Sequence, residues 1–148
     1  GQGVIRASDI LADVMFHSGF DVKKAEVHGM SQRGGVVTSD VRFGVAVFSP
    51  MVPAGEADFV VLLDPGSTDR CEGILHPERG KLISPETVEL PELPHKKCLN
   101  VALLGALSLH VPAKAEVWEA AIRRTFKPSL HEINKRSFSQ GRRTRRVA

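Results

Sequence analysis

Residues 26–35 read EVHGMSQRGG. Ten positions bring together a carboxylate (Glu26), an imidazole (His28), a hydroxyl (Ser31), an amide (Gln32) and a guanidinium (Arg33), set among Gly29, Gly34 and Gly35. Glycine accepts positive φ and lets a backbone approach a ligand or a neighbouring chain closely. Arg33 offers a planar fork that matches phosphate or carboxylate, and Gln32 and Ser31 add adaptable donors. Those types suit an anion cradle. They suit a polar surface loop equally, with Arg33 paired to Glu26, and the residues alone leave both readings open. Strand alternation would set Glu26 and His28 on one face, where a carboxylate can orient and raise an imidazole. Structural hydrogen bonding is the simpler use of that pair than acid–base catalysis.

A second glycine turn, Gly1-Gln2-Gly3, runs directly into a helical pattern. Free N–H groups at a helix start, reinforced by the macrodipole, favour an anion. Gly1, Gln2 and Gly3 therefore join the candidates, although the tripeptide also fits many ordinary turns. A nicotinamide-binding unit would want an acid about 20 residues further on, at the end of a strand. Glu26 stands near that place, so a free-standing dinucleotide-binding module is the rival reading.

Other chemistries are poorly supplied. The two cysteines, Cys71 and Cys98, stand far apart, too few for the four thiolates a cysteine-ligated iron–sulfur cluster commonly needs or for a disulfide framework. They read as unpaired thiols in a reducing compartment. The six histidines show no metal-ligand spacing, so no metal site is expected. Of 20 Lys+Arg, four (Arg142, Arg143, Arg145 and Arg146) crowd the C-terminus, and without them 16 basic groups face 17 acidic ones. The basicity thus belongs to a tail at 142–148, read as a solvated terminus. Seven Phe, one Trp and no Tyr leave few stacking platforms for bases, so nucleic acid is not an expected partner.

These groups need a scaffold. A chain of 148 residues with 42% hydrophobic and 25% charged residues has the size and composition of one globular domain. No apolar run reaches the ~18–20 residues of a membrane span, and no leader pattern argues for export, so a cytoplasmic protein is expected. Val4, Ala7, Leu11, Val14, Met15 and Ser18 recur at helical steps, with Gly19 placed as a C-cap glycine. The pattern predicts strands over 22–28 and 36–43, a further β segment over 44–48, and a central strand over 58–63 covered on both faces. Residues 81–83 add a short strand. Asn100 would cap a helix over 101–110, Pro112 sits like an N1 proline before a helix carrying Ala115, Trp118, Ile122 and Phe126, and Ser129 with Glu132 form a capping-box pair. Gly141 would close that last helix. The alternation predicts an α/β fold: a single Rossmann-like domain, a mostly parallel sheet flanked by helices, and C-terminal helices packed on it.

Three stretches carry a resemblance: GQGVIRASDILA, then EVHGMSQRGGVVTSDVRFG, then SPMVPAGEADFVVLLDP. Together with NVALLGALS, the Trp118–Phe126 helix and the Glu132–Gly141 segment, they resemble the gamma-type subunit of 2-oxoacid:ferredoxin oxidoreductases. These are the pyruvate, 2-oxoglutarate, 2-oxoisovalerate and indolepyruvate enzymes; in the last the corresponding chain is the beta subunit. The resemblance spans nearly the whole chain, with a gamma-type domain over 1–141. The family's turn is fuller, GxGGQG after a strand, which places Gly1 inside a motif whose first strand is absent from the numbered chain. Two departures stand out. Asp40 occupies the place of a histidine in the family's SHVRFG, and the stretch 73–98 is short.

The resemblance implies a non-catalytic subunit of an oxidoreductase that acts on the oxo group of its donor with an iron–sulfur protein as acceptor. Such enzymes decarboxylate a 2-oxoacid on thiamine diphosphate, reduce ferredoxin through iron–sulfur clusters and deliver the acyl group to coenzyme A. It further implies that thiamine diphosphate, Mg and the clusters sit in alpha- and beta-type partner subunits, and that this chain helps hold coenzyme A at its interface. Gly1, Gln2, Gly3, Ser31, Gln32, Arg33, Gly34 and Gly35 are then the binding candidates, supported by Glu26, His28 and Gly29.

Overall fold

A computed structural model describes residues 2–28 and 37–147, which fall into two compact units. In the first, Gly1–Val52 with Ala113–Lys127, the leading helix α1 (Gln2–His17) turns Ala7, Ile10, Val14 and Met15 inward, all buried. Ile10 extends the apolar stripe expected from the sequence, lying three residues after Ala7 and four before Val14 on one face. The helix ends as its glycine requires. Gly19 takes φ +93°, its N–H donates to the Phe16 carbonyl at 3.1 Å, and Phe20 N–H donates to the Met15 carbonyl at 3.2 Å. Those two bonds are the paired closure of a Schellman motif, satisfying carbonyls the helix itself leaves open.

The chain then reverses into β1 (Asp21–His28), which pairs antiparallel with β2 (Val37–Gly44), from Asp21 opposite Gly44 to His28 opposite Val37. Phe20 packs edge-on against Phe43, ring centroids 5.9 Å apart. α1 covers this hairpin and packs on α3 (Ala115–Thr125), which buries Trp118, Ala121 and Ile122. Arg124 forks onto Asp13 of α1, with Nε at 3.0 Å and a terminal nitrogen at 2.9 Å from Oδ2. Arg6 lies 5.3 Å above the Phe126 ring.

In the second unit, Pro53–Pro112 with Pro128–Ala148, β3 (Phe59–Val61) and β4 (Lys81–Ile83) pair in parallel. A 3-10 segment, Pro65–Cys71, begins the crossover; Asp64 caps it, accepting from Gly66 N–H at 3.1 Å and from the Ser67 hydroxyl at 2.8 Å. α2 (Leu99–Leu107) is buried on every side from Asn100 to Leu107, which is why it is apolar all round rather than amphipathic. Across it lies α4 (His131–Arg142), which buries Asn134, Ser137, Phe138 and Gly141. Their backbones meet at two glycines. A Cβ at Gly105 would stand 2.2 Å from the Phe138 carbonyl oxygen, and one at Gly141 only 1.8 Å from that of Ala102. Only hydrogen fits there.

The α/β class is as expected, and several details differ. The sheet is not mostly parallel: the long ladder is the antiparallel hairpin, and the parallel pair is three residues per strand, half-buried rather than covered on both faces. Residues 45–48 are loop, and within them Val47 N–H donates to the Asp21 carboxylate. The Ser129–Glu132 capping box is not formed, since Pro128–Leu130 makes a 3-10 turn and Leu130 occupies the N-cap. Gly141 lies within α4, placed by the packing seam and not by a helix end. The C-terminal helices also divide, α3 onto α1 and α4 onto α2. Among the described residues no helix is long and apolar enough to cross a membrane.

The seam gives a decisive test. In an open helix Gly→Ala gains up to about 1 kcal/mol of propensity. At position 141 the methyl has backbone on its far side and no rotamer to escape by, so Gly141→Ala is expected to cost about 3 kcal/mol or more. Urea unfolding measures it; a stabilised variant would contradict the close approach.

Candidate functional site

α1 and β1 run antiparallel away from the Gly19 reversal. From His17 back to Gln2 is about 22 Å of helix, and from Asp21 out to His28 is about 24 Å of strand. The first turn of α1 and the far end of the hairpin therefore lie at the same end of this unit. The structure brings Gln2 and Gly3 to the end where His28 and Val37, the residues flanking 29–36, are paired. Gly1, Gly29, Ser31, Gln32, Arg33, Gly34 and Gly35 lie outside the described residues.

Halfway along this face Lys24 joins the two elements. Its ammonium pairs with Asp9 of α1 and lies 2.6 Å from Glu26 Oε1 on its own strand. Two residues apart on a strand is same-face spacing, so Lys24 and Glu26 were neighbours legible in the sequence; Asp9, fifteen residues earlier, was not. Burial opposes the charge on Lys24, but Asp9 and Glu26 together outweigh it and raise its pKa above the usual lysine value. Glu26 is thus engaged with Lys24 inside the unit, an arrangement that does not present it as a free ribose acceptor.

Three charged side chains organise residues 45–52. Asp21 accepts from Val47 N–H at 2.8 Å, and Asp40 from Val52 N–H at 3.0 Å. Arg42 donates to the carbonyls of Ser49 and Met51, each at 3.2 Å. The Val47 bond, opposed by desolvation and aided by Lys23, holds the Asp21 carboxyl below its ordinary pKa. Asp40 therefore has a structural use here. On the ordered loop Val45 and Phe48 are almost wholly exposed.

The second unit contains a cavity of about 310 Å³ whose lining includes Cys71, Glu72, Leu75, His76, Gly80 and Leu82. It is ill-equipped for nucleophilic chemistry. Burial pushes the Cys71 thiol up, away from thiolate, and His76 Nδ1 faces the Glu78 and Arg79 N–H groups at 3.2 Å each as an acceptor. Among the described residues no group of three or more His, Cys, Asp or Glu could hold a metal ion.

Residues 1–144 match the family model described as pyruvate ferredoxin/flavodoxin oxidoreductase. The chain belongs to this family. Its relatives include subunits of indolepyruvate and of pyruvate/ketoisovalerate oxidoreductases. An indolepyruvate oxidoreductase subunit IorB from Thermococcus kodakarensis is 30% identical, with 95% of this chain and 89% of that protein covered. The pyruvate/ketoisovalerate oxidoreductases common subunit gamma of Pyrococcus furiosus is 29% identical, covering 93% and 88%. The first of these alignments runs over 180 positions against 148 residues in this chain, so that relative carries insertions. Among solved structures, a keto/oxoacid ferredoxin oxidoreductase gamma subunit from Geobacter sulfurreducens superposes with TM-score 0.69 at 18% identity, covering 95% of this chain and 89% of the other. Pyruvate oxidoreductase subunit PORC from Thermotoga maritima gives 0.58 at 24%, with the same coverage. These two establish the shared α/β fold.

The Lys24 bridge predicts an alkaline limit. A raised lysine pKa stabilises the fold below the unfolded value of about 10.4 and ceases to do so as pH climbs through the folded value. Wild-type stability is expected to fall above that pH, and Lys24→Met, costing about 1 kcal/mol at neutrality because Asp9 is half exposed, should flatten the alkaline limb. Equal alkaline slopes in the two proteins would refute the bridge.

Proposed function

We propose that this chain is the gamma-type subunit of an enzyme that oxidatively decarboxylates a 2-oxoacid to acyl-coenzyme A with electrons passing to ferredoxin. In this reading it works with alpha- and beta-type subunits, supports assembly and helps hold coenzyme A, and the thiamine diphosphate, Mg and iron–sulfur clusters belong to those partners. The supporting observation is the convergence of the first turn of α1 with the paired flanks of 29–36, in a chain whose family match runs over 1–144.

The chemistry follows from the residue types. Coenzyme A is rich in phosphate, so its binding asks for backbone N–H groups free of side-chain hindrance and for a cation of fixed geometry. Gly1, Gln2 and Gly3 at the start of α1 supply the first, with Gly29, Gly34 and Gly35 allowing close approach. Arg33 supplies the second, with Ser31 and Gln32 as neutral donors and His28 flanking them. A cluster of this chain's own is a poor fit: the sequence has two cysteines, both buried, where four thiolates are commonly required. The oxoacid is then selected on partner surfaces, which is why names from both the indolepyruvate and pyruvate/ketoisovalerate enzymes occur among its relatives.

The test is steady-state kinetics on the complex reconstituted with its partner subunits and a viologen acceptor. Losing one charge-assisted bond, about 1.5–3 kcal/mol, should raise the KM for coenzyme A at least about tenfold in Arg33→Ala, with kcat at saturation changed far less. An unaltered KM removes Arg33 from the binding role. Calorimetry of the isolated chain with NAD(H), NADP(H) and coenzyme A addresses the dinucleotide-binding rival, which tight nicotinamide binding would favour.

A further inference from the structure

Residues 43–55, FGVAVFSPMVPAG, carry no charged side chain, in a protein of which 25% of the residues are charged. A stretch of that composition is ordinarily buried. Here it leaves β2 as a loop, and its apolar side chains divide: Val47 is buried, whereas Val45 is 99% exposed, Phe48 92% and Met51 50%. The other exposed large hydrophobics among the described residues, Phe16, Ile74 and Leu130, stand singly in the chain, as scattered surface apolar residues do.

The loop is held from beneath. Asp21 takes the Val47 N–H and Asp40 the Val52 N–H, Arg42 donates to the carbonyls of Ser49 and Met51, and Met51 N–H donates to the Ser49 hydroxyl at 3.3 Å. Asp40 and Arg42, two residues apart on β2, share the hairpin face turned away from Lys24, and Asp21, registered opposite Gly44, lies on it too. Pro50 and Pro53 restrict φ at two further positions. Three charged side chains are thus committed to backbone groups, while the side chains presented outward are uncharged. A loop already fixed has little left to order on association, which lowers the cost of binding through it.

We propose that residues 45–51 form a docking knob, with Val45 and Phe48 seated in an uncharged apolar recess of a partner subunit. The inference rests on the subunit reading above and uses none of its ligand-binding residues. Interface cores are depleted in charge and enriched in Phe and Met, which is the composition displayed here. On the hairpin face beneath, Lys23 pairs with Asp21 at 3.7 Å and Arg42 with the two carbonyls, so the knob has no cationic rim of the kind an anionic lipid surface or a nucleic acid would require. A second copy of this chain is the poorer occupant. Val45 and Phe48 offer roughly 350 Å² between them, under half of the ~800 Å² each member of a standard interface contributes. Two copies joined through this loop alone would not hold. The loop is one anchor within a wider contact, which in the subunit reading belongs to an alpha- or beta-type chain.

The experiment compares the wild-type full chain with the double variant Val45→Ser, Phe48→Ser and with Ile74→Ser, an exposed apolar position on the second unit. All three sites are at the surface, so circular dichroism and melting temperature are expected to be unchanged. Affinity for the purified alpha- and beta-type subunits is measured by interferometry, and the oligomeric state of the chain alone by sedimentation equilibrium. Loss of an anchoring aromatic should weaken assembly at least about thirtyfold in the loop variant, with Ile74→Ser within about twofold of wild type. Benzoylphenylalanine in place of Phe48 should photo-crosslink to one of those subunits. Equal affinities for the loop variant and wild type overturn the knob and leave the subunit reading standing, whereas a wild-type chain that does not bind those subunits overturns both. An equal loss in Ile74→Ser, or a dimer of the chain alone that the loop variant disperses, also overturns the proposal, the latter making a second copy the occupant.

Discussion

The first unit depends on the chain reversal at Gly19. A residue with a Cβ pays for φ near +93° in strain, and without that conformation the two closing bonds to Met15 and Phe16 cannot both form. Because they form, β1 returns directly along α1, Phe20 reaches Phe43, and Lys24 comes level with Asp9. The same geometry carries His28 back to the level of Gln2. A helix start and a hairpin end, 26 residues apart in sequence, then share one end because helix and strand advance by nearly equal lengths from the turn.

The second unit rests on a different constraint. α2 is buried on all sides, so it can neither slide nor expose a polar face, and α4 approaches it until backbone meets backbone at Gly105 and Gly141. That close seam also sets where α4 ends. Arg142 is delivered to Ser108 at the end of α2. Arg143, Arg145 and Arg146 beyond it are exposed, where salt and water screen their charge.

Charged side chains in the first unit do much of the work that strand pairing does elsewhere. Asp21, Asp40 and Arg42 hold residues 45–52 by their backbone groups and leave Val45 and Phe48 outward. The sequence reads 44–48 as a further β segment, and the structure makes 45–48 loop. Nothing local distinguishes a backbone awaiting a neighbouring strand from one whose Val47 N–H is claimed by a carboxylate 26 residues away.

Local rules with a covalent or steric origin were readable directly. The C-cap at Gly19, the strands of the hairpin, the short strand at 81–83 and the helix containing Trp118 all follow from residue type and period, because φ restrictions and side-chain alternation act within a few residues. The glycine-rich candidates at 1–3 and 29–35 were likewise visible as residue types. What the sequence did not determine depends on partners distant in the chain. Ser129 and Glu132 had the pattern of a cap, but a 3-10 turn at Pro128–Leu130 put Leu130 there instead. Gly141 was read as a helix end, whereas contact with Ala102 makes it a packing surface. The bond from Arg142 to Ser108 has no sequence signature at all, since the two residues are adjacent only after α2 and α4 have packed.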